Sequence, residues 1–199
     1  MSTSWQAALP PRSWQGEPAA VAYTDDALTI TAAASTDWFF DPRSATRRFD
    51  AAALTFEAIG DVMLSARVTV GFVDDFDAGT LVVWKSDTRW AKLCFEYSPR
   101  REPMVVSVVT RETSDDCNSV VVGTGTVYLR IATMGAAFAF HYSTDGRFWN
   151  FVRVFDLGES ETPTRIGFLV QSPSGDGCTA TFDDIHFSRG LLTETRDGS

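Results

Sequence analysis

Period-two alternation is the dominant pattern in this chain, and helix-period apolar patterns are nearly absent. Short β-branched and aromatic runs, separated by turn residues, predict strands at Ala27–Ala32, Ala53–Phe56, Val62–Gly71, Gly79–Lys85, Ala91–Tyr97, Val105–Arg111, Val127–Thr133, Ala136–Ser143, Asn150–Phe155, Thr164–Gln171 and Ala180–Phe187. So many short strands can bury their apolar faces only against one another, which predicts an all-β protein of two antiparallel sheets packed as a sandwich, a jelly roll. Asp145-Gly146, between Tyr142 and Phe148, is a hairpin signal, because glycine accepts positive φ. Asp77-Ala78-Gly79 and Ser174-Gly175-Asp176-Gly177 read as loops of the same type. No repeat stands out, which argues against a propeller.

The 199 residues suit a single domain spanning 1–199, with a core of about 22–189. Residues 3–22, which hold Pro10, Pro11 and Pro18, read as an irregular lead-in, and the polar tail after Arg189 is expected to fray. Net charge is −9, from 26 acidic and 17 basic residues, so the chain would repel phosphate backbones and no nucleic-acid partner is expected. The opening Met-Ser-Thr-Ser-Trp-Gln has no basic or apolar leader character, and no apolar run reaches membrane-spanning length. No membrane partner is expected and the expected location is cytoplasmic. Cys94, Cys117 and Cys178 cannot all pair and lack zinc-type spacing, so reduced thiols are the simpler reading, with one disulfide plus a free thiol left open.

Trp90-Ala91-Lys92-Leu93-Cys94-Phe95-Glu96 sends Leu93 and Phe95 one way and Trp90, Lys92, Cys94 and Glu96 the other. Arg130, His141 and Arg153 also fall opposite apolar neighbours, and Ser107 and Gln171 fit by the same count. Side by side, these strands would give a polar, aromatic-edged face. The expected ligand-binding set is therefore Trp90, Lys92, Glu96, Ser107, Arg130, His141, Arg153 and Gln171, with Trp90 stacking on a ligand or walling the site. Lys92 and Glu96 lie four residues, or roughly 13 Å, apart along the strand, so each needs another partner, and Arg130 and Arg153 are the expected ones for Glu96. The competing reading is a ladder of surface ion pairs.

No catalytic residue, metal ligand or cofactor is assigned. Glycoside hydrolysis needs two carboxylates, about 5 Å apart for retention and further for inversion, and Glu96 is the one carboxylate placed mid-strand on the polar face. Asp115 or Asp116 would have to reach in from a loop. Beside Lys and Arg, Glu96 is expected to have a depressed pKa, better suited to a base than to a general acid. A lyase with His141 or Lys92 as base remains conceivable. His141 and His186 have no metal spacing, and Cys94 has no histidine to activate it. Asp74-Asp75-Phe76-Asp77 and Asp183-Asp184 match no calcium loop and read as solvated acidic turns. Ser143-Thr-Asp145-Gly146-Arg-Phe-Trp149 reads as a turn with Trp149 packed behind it.

Several blocks in order carry a resemblance: Thr36-Asp37-Trp38-Phe39-Phe40; Asp77-Ala-Gly-Thr-Leu with Arg89-Trp90-Ala-Lys92-Leu-Cys-Phe-Glu96; Ser107-Val-Val-Thr110-Arg111 with Ser114-Asp115; Tyr142 to Trp149; and Gly167-Phe-Leu-Val-Gln171-Ser172-Pro173. The chain resembles a family of concanavalin A-like proteins related to the "regulation of enolase" proteins of fungi and their bacterial relatives. It departs from the family pattern in following Asp115 with Asp116-Cys117-Asn118 rather than an aromatic residue. The resemblance implies a jelly roll of the legume-lectin and glucanase type and brings no established reaction. The glucanase pattern Glu-x-Asp-x-x-Glu is absent. The function expected is non-catalytic binding of a carbohydrate or similar polar ligand. The alternatives are a glycan-acting hydrolase or lyase, and a regulatory module with a protein partner.

Overall fold

The computed structural model describes residues 4–199. A short helix, α1 (Trp5–Ala8), precedes β1 (Arg12–Gln15), β2 (Ala20–Tyr23), β3 (Ala27–Thr31), β4 (Trp38–Phe40), β5 (Arg47–Phe49), β6 (Ala53–Glu57), β7 (Val62–Gly71) and β8 (Ala78–Ser86). There follow β9 (Arg89–Tyr97), β10 (Pro103–Arg111), β11 (Thr113–Val121), β12 (Thr126–Met134), β13 (Ala137–Ser143), β14 (Asn150–Asp156), β15 (Arg165–Gln171) and β16 (Thr179–Arg189). Two antiparallel sheets of seven strands form a β-sandwich. The first runs β1-β6-β15-β8-β9-β10-β11, the second β14-β13-β12-β7-β16-β3-β2.

The core lies between them. Leu81, Leu93, Phe95 and Phe168 of the first sheet meet Leu64, Leu129, Phe140 and Phe182 of the second, all with no exposed surface. Phe168 and Phe182 pack edge-on across the gap at 5.1 Å. At Gly79 the sheets come so close that a Cβ would meet Val68 Cγ1 at 2.7 Å and the Ala180 Cβ at 2.8 Å.

The eleven expected strands are present. The structure adds β1, β2, β4, β5 and β11. The lead-in expected to be irregular over 3–22, described from residue 4 onward, holds the edge strand β1 and the start of the edge strand β2, and the Asp115-Asp116 stretch, expected to be a loop, lies in the edge strand β11. Edge strands have neighbours on one side only and stay wet on much of their surface, so polar residues suffice and alternation is weak. The tail after Arg189, expected to fray, folds back onto the second sheet, where Leu192 is 5% exposed against Ala132 and Ala139. Among the described residues no helix is long and apolar enough to cross a membrane.

Candidate ligand-binding groove

Cross-strand partners in an antiparallel pair project to the same face, so register assigns each side chain. Lys92 is opposite Val82 and Val108, and Val108 is opposite Asp116. Glu96 is opposite Ala78, which is also opposite Gln171. Lys92, Glu96, Asp116 and Gln171 therefore share the face of the first sheet turned away from the core.

The β4–β5 hairpin lies across one end of that face. Trp38 Nε1 donates to the Ala51 carbonyl at 2.9 Å, and the Phe40 amide donates to Ser114 Oγ at 2.9 Å. Trp38, Phe40 and Phe49 enclose Trp90, which has no exposed surface. Trp90 thus lies on the expected face but cannot stack on a ligand, because the hairpin occupies its faces.

The segment leading into the hairpin brings Asp37 over the sheet. Lys92 Nζ donates to Asp37 Oδ1 at 2.9 Å and to Gln171 Oε1 at 2.6 Å. Burial is the largest single influence on Lys92 and opposes its charge, but the surrounding acidic groups, Asp37 foremost, together outweigh it and the net shift is upward, so Lys92 remains an ammonium. Gln171 Nε2 donates to the Phe76 carbonyl at 3.3 Å, which ties the amide to the 72–77 loop. That loop is organised by Asp77 rather than being a solvated acidic turn. Its Oδ2 accepts from the Val73 and Asp74 amides and its Oδ1 from Ser172 Oγ, and the residue has no exposed surface.

Glu96, 9% exposed, makes no side-chain hydrogen bond or ion pair with any described residue. Burial, only partly offset by Lys92 and reinforced by Asp116 and Asp37, raises its pKa to about 8. This reverses the expectation of a depressed value. Arg130 and Arg153 are on the other sheet, leaving Lys92 as the one cation among the described residues that acts on Glu96. Asp116 is also shifted upward, by desolvation against Lys92. Burial pushes Cys94 up to about 12, so it is an un-ionised thiol, and Cys117 and Cys178 are also free.

These groups line a cavity of about 350 Å³ whose wall also includes Phe39, Phe76, Arg43 and Arg48. Phe76, at φ 70° and 39% exposed, stands at its mouth. A larger cavity of about 530 Å³ lies on the second sheet beside Asp183, Asp184 and His186, where the Arg67–Asp183 ion pair is partly exposed. The smaller one is the better site, because there buried ionisable groups converge with apolar walls. Among the described residues, no group of three or more His, Cys, Asp or Glu could hold a metal ion.

The other expected site residues lie elsewhere. Ser107 is opposite Leu93 and faces the core, and its hydroxyl has no partner. The parity count failed there because β10 is apolar on both faces: Val105 and Val109 enter the core, while Val106 and Val108 lie under the outer face. Arg130 and His141 are cross-strand partners on the second sheet. Arg153 of β14 bridges to Asp115 of β11, Nη2 to Oδ2 at 3.0 Å, across the open edge of the sandwich. The sequence reading missed Asp37, Phe39, Phe76 and Asp116 as site residues. Asp37-Trp38-Phe39-Phe40 was the available signal, an acid followed by three aromatics outside any long strand.

A functionally unknown protein from Saccharomyces cerevisiae matches this fold with a TM-score of 0.83 at 22% identity, over 90% of this chain and 97% of its own. A xylan β-1,4-xylosidase from Bacillus halodurans matches with a TM-score of 0.67 at 12% identity, over 91% of this chain but 41% of its own. An alginate lyase from Klebsiella pneumoniae matches with a TM-score of 0.53 at 14% identity, over 83% and 82%. At these identities the likeness is one of fold. No curated protein matches the chain. The model of one family, described as protein of unknown function (DUF1349), matches residues 14–189, and the chain belongs to that family.

Proposed function

We infer that the outer face of the first sheet binds a carbohydrate in the cavity beside Lys92. The observation that carries this reading is the convergence of Glu96, Asp116 and Gln171 with the rings of Phe39 and Phe76 around about 350 Å³. Hydroxyl-rich ligands need donors and acceptors on the floor and apolar surfaces for the C–H faces of the sugar ring. Glu96, protonated at neutral pH, supplies a donor as well as an acceptor, and Asp116 supplies acceptors. Lys92 is engaged by Asp37 and Gln171, so it sets the floor rather than seeking an anion. That favours a neutral sugar over a uronate in this cavity. Fold kinship with a xylosidase and an alginate lyase agrees with a carbohydrate role.

A glycan-acting enzyme is the second reading, and one observation favours it. A protonated glutamic acid shares a cavity with two further carboxyl groups, Asp37 and Asp116, which are the group types that glycoside hydrolysis uses as acid and base. A glycan array with wild type, Glu96→Gln and Gln171→Ala tests binding, and release of reducing ends from the bound glycans tests turnover. If the wild type binds no glycan, or both variants bind as it does, the carbohydrate reading fails. Turnover that Glu96→Gln abolishes would replace the non-catalytic reading with the enzymatic one.

A further inference from the structure

On the outer face of the second sheet, far from the groove in topology, lies a buried cation with no counter-ion. Arg130 is 7% exposed and makes no ion pair with any described residue. Its guanidinium stacks on Trp149, 4.2 Å from the ring centroid, and Nη2 donates to the Gly198 carbonyl at 2.7 Å. The adjacent Nε–H is buried without an acceptor. Burial lowers the Arg130 pKa to about 10, as expected of a cation left without a carboxylate. Across the strand pair, His141 has no exposed surface, and its Nε2 lies 2.7 Å from the Thr195 carbonyl. A carbonyl only accepts, so Nε2 carries the proton and Nδ1 is a bare acceptor, which has no partner either.

The Nε/Nη2 edge of an arginine is a fork shaped for the two oxygens of a carboxylate. The protein shows that geometry at Arg67, whose Nε and Nη2 donate to Asp183 Oδ1 and Oδ2 at 2.7 and 2.9 Å. At Arg130 the same edge is half filled, by a single peptide oxygen. Residues 193–199 that cover it contain two acids, yet neither answers Arg130. Glu194 accepts from the Arg196 amide and Asp197 from the Ser199 amide.

We propose that Arg130, backed by Trp149 and His141, is a binding site for the carboxylate of a small organic acid, and that residues 192–199 are a strap covering it. The strap fills the site with carbonyl oxygens from Thr195 and Gly198, leaving one donor unpaired, which costs free energy that a carboxylate would recover. Its one apolar anchor is Leu192, set against Ala132 and Ala139. Gly198 fits beneath it only because it lacks a side chain: at φ 75°, a Cβ would strike Arg130 Nη2 and lie 2.8 Å from the Trp149 Cβ. The site is on the opposite sheet from the carbohydrate groove and does not depend on that reading.

Gly198→Val and Leu192→Asp in the full chain lift the strap from its two ends, and amide hydrogen exchange of residues 192–199 reports the lifting. The probe is glucuronate, with glucose as its neutral counterpart, measured calorimetrically. The strapped form withholds the site for most of the time, so lifting it tightens glucuronate binding by about tenfold or more. Arg130→Gln in the Gly198→Val background abolishes binding, and glucose binds neither variant. The proposal is overturned if a lifted strap leaves glucuronate affinity at the wild-type level, if Arg130→Gln binds equally well, or if glucose binds as tightly. A strap that stays protected from exchange in both variants overturns it too, because the cover is then a fixed part of the fold.

Discussion

Lys92 Nζ lies 2.9 Å from Asp37 Oδ1, joining the middle of β9 to the segment that leads into the β4–β5 hairpin. The pair is buried, with Lys92 2% exposed, and its partners span 55 residues of sequence one way and 79 the other. It both holds the hairpin on the sheet and sets the electrostatics of the cavity. Removing one member would leave the other as an uncompensated buried charge. Lys92→Met is expected to destabilise the protein by about 3–5 kcal/mol, measured by urea unfolding, and Asp37→Asn in the same chain should restore part of the loss. Additive losses in the double variant would mean that the pair is not coupled.

Glu96 makes stability depend on pH. Its folded pKa of about 8 lies above the ordinary value of 4.5, so between these values the folded state holds a proton that the unfolded chain releases. Stability from this group is therefore full below about pH 4.5 and falls as pH rises through about 8. Glu96→Gln keeps the neutral shape and should remove the slope. Comparing wild type with variant at about pH 5 and about pH 9, the variant should gain on the order of several kcal/mol at the higher pH. Parallel pH profiles for the two proteins would show that Glu96 is not a buried acid.

Phe76 stands at the mouth of the cavity, 39% exposed. Phe76→Ala should lower the unfolding free energy by only about 1–2 kcal/mol, less than at a fully buried phenylalanine, because the side chain is already partly in solvent. Affinity for the tightest glycan on the array should fall by about tenfold as one apolar wall is lost. Unchanged affinity would remove Phe76 from the site.

Gly79 tests the packing between the sheets. Its missing Cβ would fall within 2.7 Å of Val68 and 2.8 Å of Ala180, inside the core. Gly79→Val should cost about 1–3 kcal/mol through overpacking, seen as a lower thermal midpoint. A neutral result would mean that the sheets can separate there at little cost.

Alternation, together with β-branched and aromatic runs set between turn residues, specified the all-β class and the eleven strands, because most of those strands bury one face and so write a period of two into the chain. It also placed Lys92, Glu96 and Gln171 on one face, where β9 and β15 carry clear apolar partners. The assignment failed where that signal is absent. Ser107 lies in a strand apolar on both sides, and Asp116 in an edge strand polar on nearly all of its length. Which strands share a sheet is set by pairing across long sequence separations, and that decided the rest. It parted Arg130, His141 and Arg153 from Lys92 and Glu96, brought Asp37 onto Lys92, and buried Trp90 beneath a hairpin. The raised pKa of Glu96 has the same origin: desolvation is a property of the packed surroundings, and no local pattern of residues records it.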